Sequence, residues 1–218
     1  MIAIIDYDAG NLKSVEKALR GLDADCIATR DPQQILSADG LILPGVGAFG
    51  DAMERLREYE LVPVIKEAAD RQIPLLGICL GMQLLFDESE EAPGEEGLGL
   101  LHGRICRFPS DMRPEGADGD ETQVRPLKVP HMGWNSLNLQ KEGRLLKGLP
   151  PHPYVYFVHS YYLQAEDESV VSATADYGIT FHASVESGAL YGCQFHPEKS
   201  SRIGRRILKN YMEVCDVH

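Results

Sequence analysis

Positive charge is scarce in this chain. Lysine and arginine number 21 against 33 aspartates and glutamates, a formal net charge of −12. No basic patch or arm gathers them, which excludes a nucleic-acid-binding surface. Cysteine is sparse too. The five, Cys26, Cys79, Cys106, Cys193 and Cys215, show no C-x-x-C and no zinc-ligand spacing. That excludes a disulfide framework and a structural zinc site, and it implies a reducing, cytoplasmic setting. The chain opens directly on an apolar strand pattern, without a basic leader or cleavage site. Its longest apolar run, 74–86, is too short to span a bilayer and contains Gln83. Neither an internal repeat nor a linker is evident, so residues 1–218 are expected to form a single domain with a sizeable core.

The first half alternates strand and helix. Strands are predicted at 2–5, 25–28, 40–43 and 74–78, and helices at 12–19, 49–59 and 62–70. This β-α alternation implies a parallel sheet with right-handed crossovers. The second half is strand-rich, with strand patterns at 100–108, 128–132, 154–158, 170–174, 179–184 and 190–195. Ile203, Ile207, Leu208, Tyr211, Met212 and Cys215 recur at helical spacing and predict a closing amphipathic helix. The fold class is therefore α/β, a doubly wound, mixed, mostly parallel sheet flanked by helices. Two acidic stretches, 87–97 and 111–121, read as solvated loops, the first with six carboxylates.

Gly77-Ile78-Cys79-Leu80-Gly81 lies where the strand at 74–78 meets a helical pattern. A reactive residue at such a turn, with glycine two positions before and after it, is a nucleophile elbow with cysteine in place of serine. The following helix directs its free N–H groups at the sulfur. A pentapeptide of this kind is more often accidental than catalytic, and buried cysteines are usually inert. Far downstream, however, His196 and Glu198 follow the strand at 190–195. Residues i and i+2 of an extended segment face the same side, so Glu198 can orient the imidazole while His196 faces a thiol. Cys–His–carboxylate is an activated-nucleophile arrangement for acyl transfer. The bland alternative is a surface H-P-E turn.

Three motifs in order, Pro44-Gly45-Val46-Gly47, Gly77-Ile78-Cys79-Leu80-Gly81 and Phe195-His196-Pro197-Glu198, resemble the class I glutamine amidotransferases over almost the whole chain. Finer segments are similar to the glutaminase subunits of imidazole glycerol phosphate synthases. They are Asp6-Tyr7-Asp8-Ala9-Gly10-Asn11-Leu12-Lys13-Ser14-Val15, the extension of the first motif to Met53, Val129-Pro130-His131-Met132-Gly133-Trp134-Asn135, and Tyr156-Phe157-Val158-His159-Ser160-Tyr161-Tyr162. Asp8 departs from the pattern, where glycine is more usual, and so does the long acidic insert near 111–121.

The resemblance implies L-glutamine as substrate, Cys79 as nucleophile, His196 as acid–base and Glu198 as its orienting carboxylate. It implies no metal and no cofactor. The oxyanion would be met by backbone N–H groups near Val46 and at Leu80. Losing one such donor typically costs roughly 2.7–4 kcal/mol of transition-state stabilisation. Gly47 and Gln83 would contact the substrate. For Gln83, a helix-capping or core-bonded amide is the alternative reading. The implied partner is a (β/α)8-barrel cyclase forming a heterodimer, met through Asn11, Pro130, His131, Met132, Trp134, His159 and Tyr161. Trp134, the only tryptophan, is either an interface anchor or a core residue. Rival readings are a glutaminase of guanylate or pyridoxal phosphate synthesis, a free-standing cysteine peptidase or γ-glutamyl hydrolase, and a silent binding subunit. The intact cysteine, histidine and glutamate oppose the last.

Overall fold

The computed structural model describes residues 1–113 and 126–217. Most of the acidic stretch at 111–121 lies outside them. The first half runs β1 (Ile2–Ile5), α1 (Leu12–Arg20), β2 (Cys26–Thr29), α2 (Pro32–Leu36), β3 (Gly40–Leu43), α3 (Phe49–Glu58), α4 (Leu61–Asp70), β4 (Leu75–Ile78) and α5 (Leu80–Leu84). The second half runs β5 (Glu88–Ser89), β6 (Gly103–Arg107), β7 (His131–Ser136), β8 (Asn138–Leu139), β9 (Tyr154–His159), β10 (Tyr161–Ala165), β11 (Val171–Asp176), β12 (Thr180–Ser187), β13 (Leu190–Cys193) and α6 (Ser201–Val214).

Among the described residues an eleven-stranded mixed sheet has the order β2-β1-β3-β4-β13-β12-β10-β6-β5, with β11 and β8 continuing from β12. From β2 to β13 every pairing is parallel. The two-stranded ribbon β7–β9 stands apart from it. Successive residues of a strand point to opposite faces, and the apolar runs obey this. Ile2, Ile4, Ile42, Leu76 and Ile78 pack on one side with Val15 and Leu19 of α1 and Ile207, Leu208 and Tyr211 of α6. Ala3, Ile5, Leu41, Leu43 and Leu75 pack on the other with α3 and α4. Both faces being covered, these strands are apolar throughout rather than alternating. Each fully buried leucine or isoleucine contributes roughly 1.5–3 kcal/mol. Among the described residues, no helix is long and apolar enough to cross a membrane.

Periodicity alone does not predict α2, β5, β8 or β10, which are short or polar and owe their state to their neighbours. The stretch 87–97 is largely exposed or half-buried turn and loop apart from the short β5, and three of its carboxylates are engaged by backbone donors. Asp87 accepts from Gly103 N at 2.9 Å, Glu90 from Arg107 N at 2.7 Å and Glu91 from Phe49 N at 2.8 Å. Its carboxylates satisfy backbone donors of adjoining segments. Asp8, the departure from glycine, keeps a left-handed backbone with φ 59°, which aspartate tolerates better than most residues. Its carboxylate pairs with Arg30 at 2.6 Å and accepts from the Tyr59 hydroxyl.

Candidate active site

Cys79 stands between β4 and α5, at the N-cap of the helix. Its backbone is strained, with φ 54° and ψ −112°. The flanking glycines permit the close approach this turn needs. A Cβ on Gly81 would lie 1.8 Å from the Leu43 carbonyl oxygen, and one on Gly77 would lie 2.7 Å from backbone atoms of Met82. No larger residue fits either place.

Strand β13 runs beside β4, with Ile78 opposite Cys193 and Cys79 N donating to Cys193 O at 2.8 Å. The chain that leaves β13 therefore emerges beside the sulfur, at the carboxyl ends of two neighbouring parallel strands. That is where ligands bind in open α/β sheets. His196 follows within three residues of β13, and its N–H donates to Tyr156 O at 2.9 Å. Its Nδ1 meets Glu198 Oε1 at 2.8 Å, both side chains being fully buried. Its Nε2 is buried without a hydrogen-bond partner of good geometry, yet it lies close enough to Cys79 for the sulfur to act on its titration.

Burial alone would lower the His196 pKa. The thiol of Cys79 and the Glu198 carboxylate outweigh burial and raise it to about 9. Burial likewise opposes ionisation of Glu198, but the His196 hydrogen bond and charge, helped by Asn11, hold its carboxyl below the ordinary value. At neutral pH the pair is imidazolium and carboxylate. Nε2 then carries a buried N–H near the Cys79 sulfur.

A cavity of about 340 Å³ opens at Cys79, lined by Val46, Gly47, Leu80, Gln83, Glu91, Pro130, His159 and Tyr161 among others. Gly47 turns through φ 107°, a conformation natural to glycine. Val46 is 41% exposed. Leu80 is the first residue of α5, so its N–H belongs to the donors a helix start leaves without an intrahelical partner. Gln83 is bonded within the core. Its Nε2 donates to Tyr161 O at 3.2 Å and to Gln194 Oε1 at 2.9 Å, although the residue also borders the cavity.

The residues expected at a partner face divide. Met132 and Trp134 are 62% and 53% exposed, so Trp134 is not a core tryptophan. It stands edge-on to Tyr156. Pro130 and Tyr161 line the cavity. His131 and His159 are buried, which corrects their expected place at the surface. On a strand of period two, His131 turns inward where its neighbours Met132 and Trp134 turn outward. Asn11 is half-buried, and its Nδ2 donates to Glu198 Oε1 at 2.7 Å. It precedes α1 with φ 79° and makes no side-chain cap, so its amide serves the carboxylate instead.

Sequence reasoning missed several members of this region. Tyr7, almost fully buried, donates its hydroxyl to Pro44 O at 2.7 Å and ties down the Pro44–Gly47 segment. Burial, with Cys79 nearby, pushes its phenol up. Glu91, lost in an acidic stretch, supplies a carboxylate to the cavity. Gln194 is completely buried; a lone amide inside the apolar run 190–195 was the available signal. No cluster of three or more histidine, cysteine or acidic side chains able to hold a metal occurs among the described residues.

A cysteine at a strand-to-helix elbow on the carboxyl edge of a mixed sheet, with a histidine and a glutamate just past the neighbouring strand, is an arrangement able to activate a thiol. The family model for glutamine amidotransferase class-I matches residues 3–214. Imidazole glycerol phosphate synthase subunit HisH of Geobacillus sp. is 51% identical over 99% of this chain and 98% of its own length. The subunit of the same name from Moorella thermoacetica is 49% identical over 98% and 94%. A crystal structure of a glutamine amidotransferase superposes with a TM-score of 0.72 at 20% identity, covering 100% of both chains, a likeness of fold. The chain belongs to the class I glutamine amidotransferases and, within them, to the HisH family.

Proposed function

We propose that this chain hydrolyses L-glutamine to glutamate and ammonia and passes the ammonia to a cyclase subunit in histidine biosynthesis. The observation that carries this reading is the buried Cys79–His196–Glu198 constellation opening onto the cavity with Glu91. With the thiol proton already held on His196 as imidazolium, Cys79 Sγ attacks the side-chain amide carbon of glutamine as the thiolate. The C–N bond breaks as Nε2–H protonates the departing nitrogen, which leaves as ammonia, and a γ-glutamyl thioester remains on Cys79. Water, deprotonated by His196, then releases glutamate and returns the thiolate. Glu198 holds the imidazole and balances its charge. Backbone N–H groups at Leu80 and near Val46 would meet the oxyanion, Gly47 and Gln83 would border the substrate, and Glu91 has the charge to receive its α-ammonium.

Ammonia released into neutral water is protonated and ceases to be a nucleophile, which favours a docked acceptor. The HisH names of the relatives support a cyclase partner. In this reading it is a (β/α)8 barrel forming a heterodimer in the cytoplasm, with imidazole glycerol phosphate and an aminoimidazole carboxamide ribonucleotide as products. Exposed Met132 and Trp134, with Tyr154 at 60% exposure, give the β7–β9 ribbon an apolar face for it. The decisive experiment measures glutamate release by the chain alone, with cyclase, and with cyclase plus its nucleotide ligand. Release should rise by about a hundredfold across the series, the equivalent of one oxyanion donor brought into place. Full activity in the isolated chain would revive the free-standing hydrolase.

A further inference from the structure

We propose that Gln194 is a further residue of the reacting centre, an amide N–H donor that stabilises the Cys79 thiolate, with Gln83 as its positioning residue. The proposal rests on Cys79 being the nucleophile. Its basis is strand register. Because Ile78 lies opposite Cys193, the next residues along, Cys79 and Gln194, are neighbours where the two strands end. Gln194 is entirely buried, its backbone N–H is fixed to Ala183 O at 2.9 Å, and its Nε2 stands 3.7 Å from Cys79 Sγ. That is hydrogen-bond range for an acceptor as large as sulfur.

The direction of this amide follows from its surroundings. The Tyr161 carbonyl can only accept. It takes His159 Nδ1–H at 2.8 Å and Gln83 Nε2–H at 3.2 Å. The nitrogen end of Gln83 therefore faces Tyr161, and the same nitrogen donates to Gln194 Oε1 at 2.9 Å. Gln194 must then present its own nitrogen to the sulfur. A chain of amides starting at a backbone carbonyl ends as an N–H directed at the nucleophile. A buried amide is tolerated only when hydrogen-bonded, and here both of its ends are engaged.

The charged and titratable groups around Sγ are His196, backed by Glu198, on one side and the Tyr7 phenol and Cys193 thiol nearby. Glu91 and His159 stand across the cavity. The Val158 carbonyl, 3.9 Å from Sγ, accepts from the thiol and favours its neutral form. Gln194 is the uncharged donor that opposes this. With the thiol proton on His196, the charge left on sulfur meets the amide N–H. During attack the sulfur loses that charge to the new S–C bond. When the thioester breaks, the electron pair returns to sulfur and the same N–H receives it. The amide therefore assists sulfur as a leaving group.

The test is the pH dependence of iodoacetamide alkylation of the full chain, mapped to Cys79 by peptide mass. Hydrogen bonds to charged groups are the stronger class. Gln194→Leu should raise the alkylation midpoint by about one pH unit, a tenfold loss of thiolate at a given pH. Gln194→Glu, which keeps the shape but places an anion beside the sulfur, should raise it further. Gln83→Leu, which leaves Gln194 in place but unaligned, should raise it by less than Gln194→Leu. If Gln194→Leu does not fold, the other two variants carry the test. A midpoint unchanged in the folded Gln194 and Gln83 variants overturns the proposal. Loss of glutaminase in Cys79→Ala alongside such unchanged midpoints would leave the nucleophile reading standing and refute only Gln194. Glutamine turnover by Cys79→Ala would refute the nucleophile reading, while a shifted midpoint would still report the hydrogen bond.

Discussion

Two buried histidine sites in this molecule titrate in opposite directions. His196 is raised to about 9. His131 and His159 are lowered to about 4 and about 3. Burial pushes all of them down, so burial does not separate them; partners do. His196 has a buried carboxylate and a thiol, both of which favour the imidazolium. His159 donates Nδ1–H to the Tyr161 carbonyl, and its other nitrogen faces His131 Nδ1 at 3.0 Å. Since that Nδ1–H of His159 is committed, its Nε2 must accept, and His131 must donate. Two neutral imidazoles in fixed tautomers satisfy the pair; a proton added to His159 Nε2 would break it, and one added to His131 would occupy the Nε2 lone pair that faces Asn135 Nδ2 at 3.4 Å. His131 is further stacked on Tyr177 and Phe157, an apolar seat for a neutral ring. The same side chain is thus a charged acid in one place and packing material in the other.

Abolishing the first site is the most drastic way to break the comparison. Cys79→Ala and His196→Asn should each lower glutamate release, measured with the cyclase present, by at least about 10⁴-fold while circular dichroism stays native. Ammonium salts at raised pH should still support the cyclase. Activity within about tenfold of wild type in His196→Asn would place the base elsewhere.

Removing only the partner that distinguishes His196 should be milder. Glu198→Gln keeps bulk and some hydrogen bonding, and should cost roughly 10–100-fold in kcat. It should also lower the His196 pKa, read by NMR titration of the ring. The sign for stability follows. A histidine raised in the folded state stabilises fully below its unfolded pKa of about 6.5, and that contribution is lost as pH rises through about 9. The stability gap between wild type and Glu198→Gln should therefore narrow over this interval. A gap independent of pH would contradict the assigned coupling.

Asn11→Leu sharpens the comparison by removing the second donor to Glu198 while leaving the carboxylate in place. Its effect on kcat should be several-fold, smaller than that of Glu198→Gln, with a small downward shift of the His196 pKa in the same titration. An effect equal to that of Glu198→Gln would mean that the carboxylate acts only when Asn11 holds it.

The smallest effect belongs to the neutral pair, in stability rather than turnover. With folded pKa values below the unfolded one, protons bind on unfolding as pH falls from about 6.5 toward 4, and stability falls with them. Each proton taken up steepens the loss by about 1.4 kcal/mol per pH unit. Denaturant midpoints at pH 7 and pH 5 should show the decline, and His131→Gln should flatten it. An unchanged slope would mean that the pair is not held neutral.

Much of this organisation is legible in the primary structure. The β-α alternation, the elbow around Cys79 and the H-P-E at 196–198 are short-range patterns whose meaning depends on residues two to four apart. Local geometry suffices to read them, because a strand repeats every two residues and a helix start follows directly on its strand. The expected strand at 190–195 ran past β13, which ends at Cys193, because the chain there turns away from β4 toward Tyr156. The expected partner residues 130–135 were read as one block, whereas the pleat of β7 sends alternate side chains inward and outward. Gln83, ambiguous in the sequence, bonds to Tyr161 and Gln194 and also borders the cavity.

By itself, then, the sequence determined which residues could be nucleophile, acid–base and orienting carboxylate, and in what order along the chain they occur. Only the tertiary structure decided who accompanies them. Asn11 reaches Glu198 across 187 positions, and Gln194 reaches Cys79 across 115. Contacts of that kind arise from strand order and register. A shift of one residue between β4 and β13 would reverse the facing of every side chain on one of the strands, and no local pattern encodes that alignment.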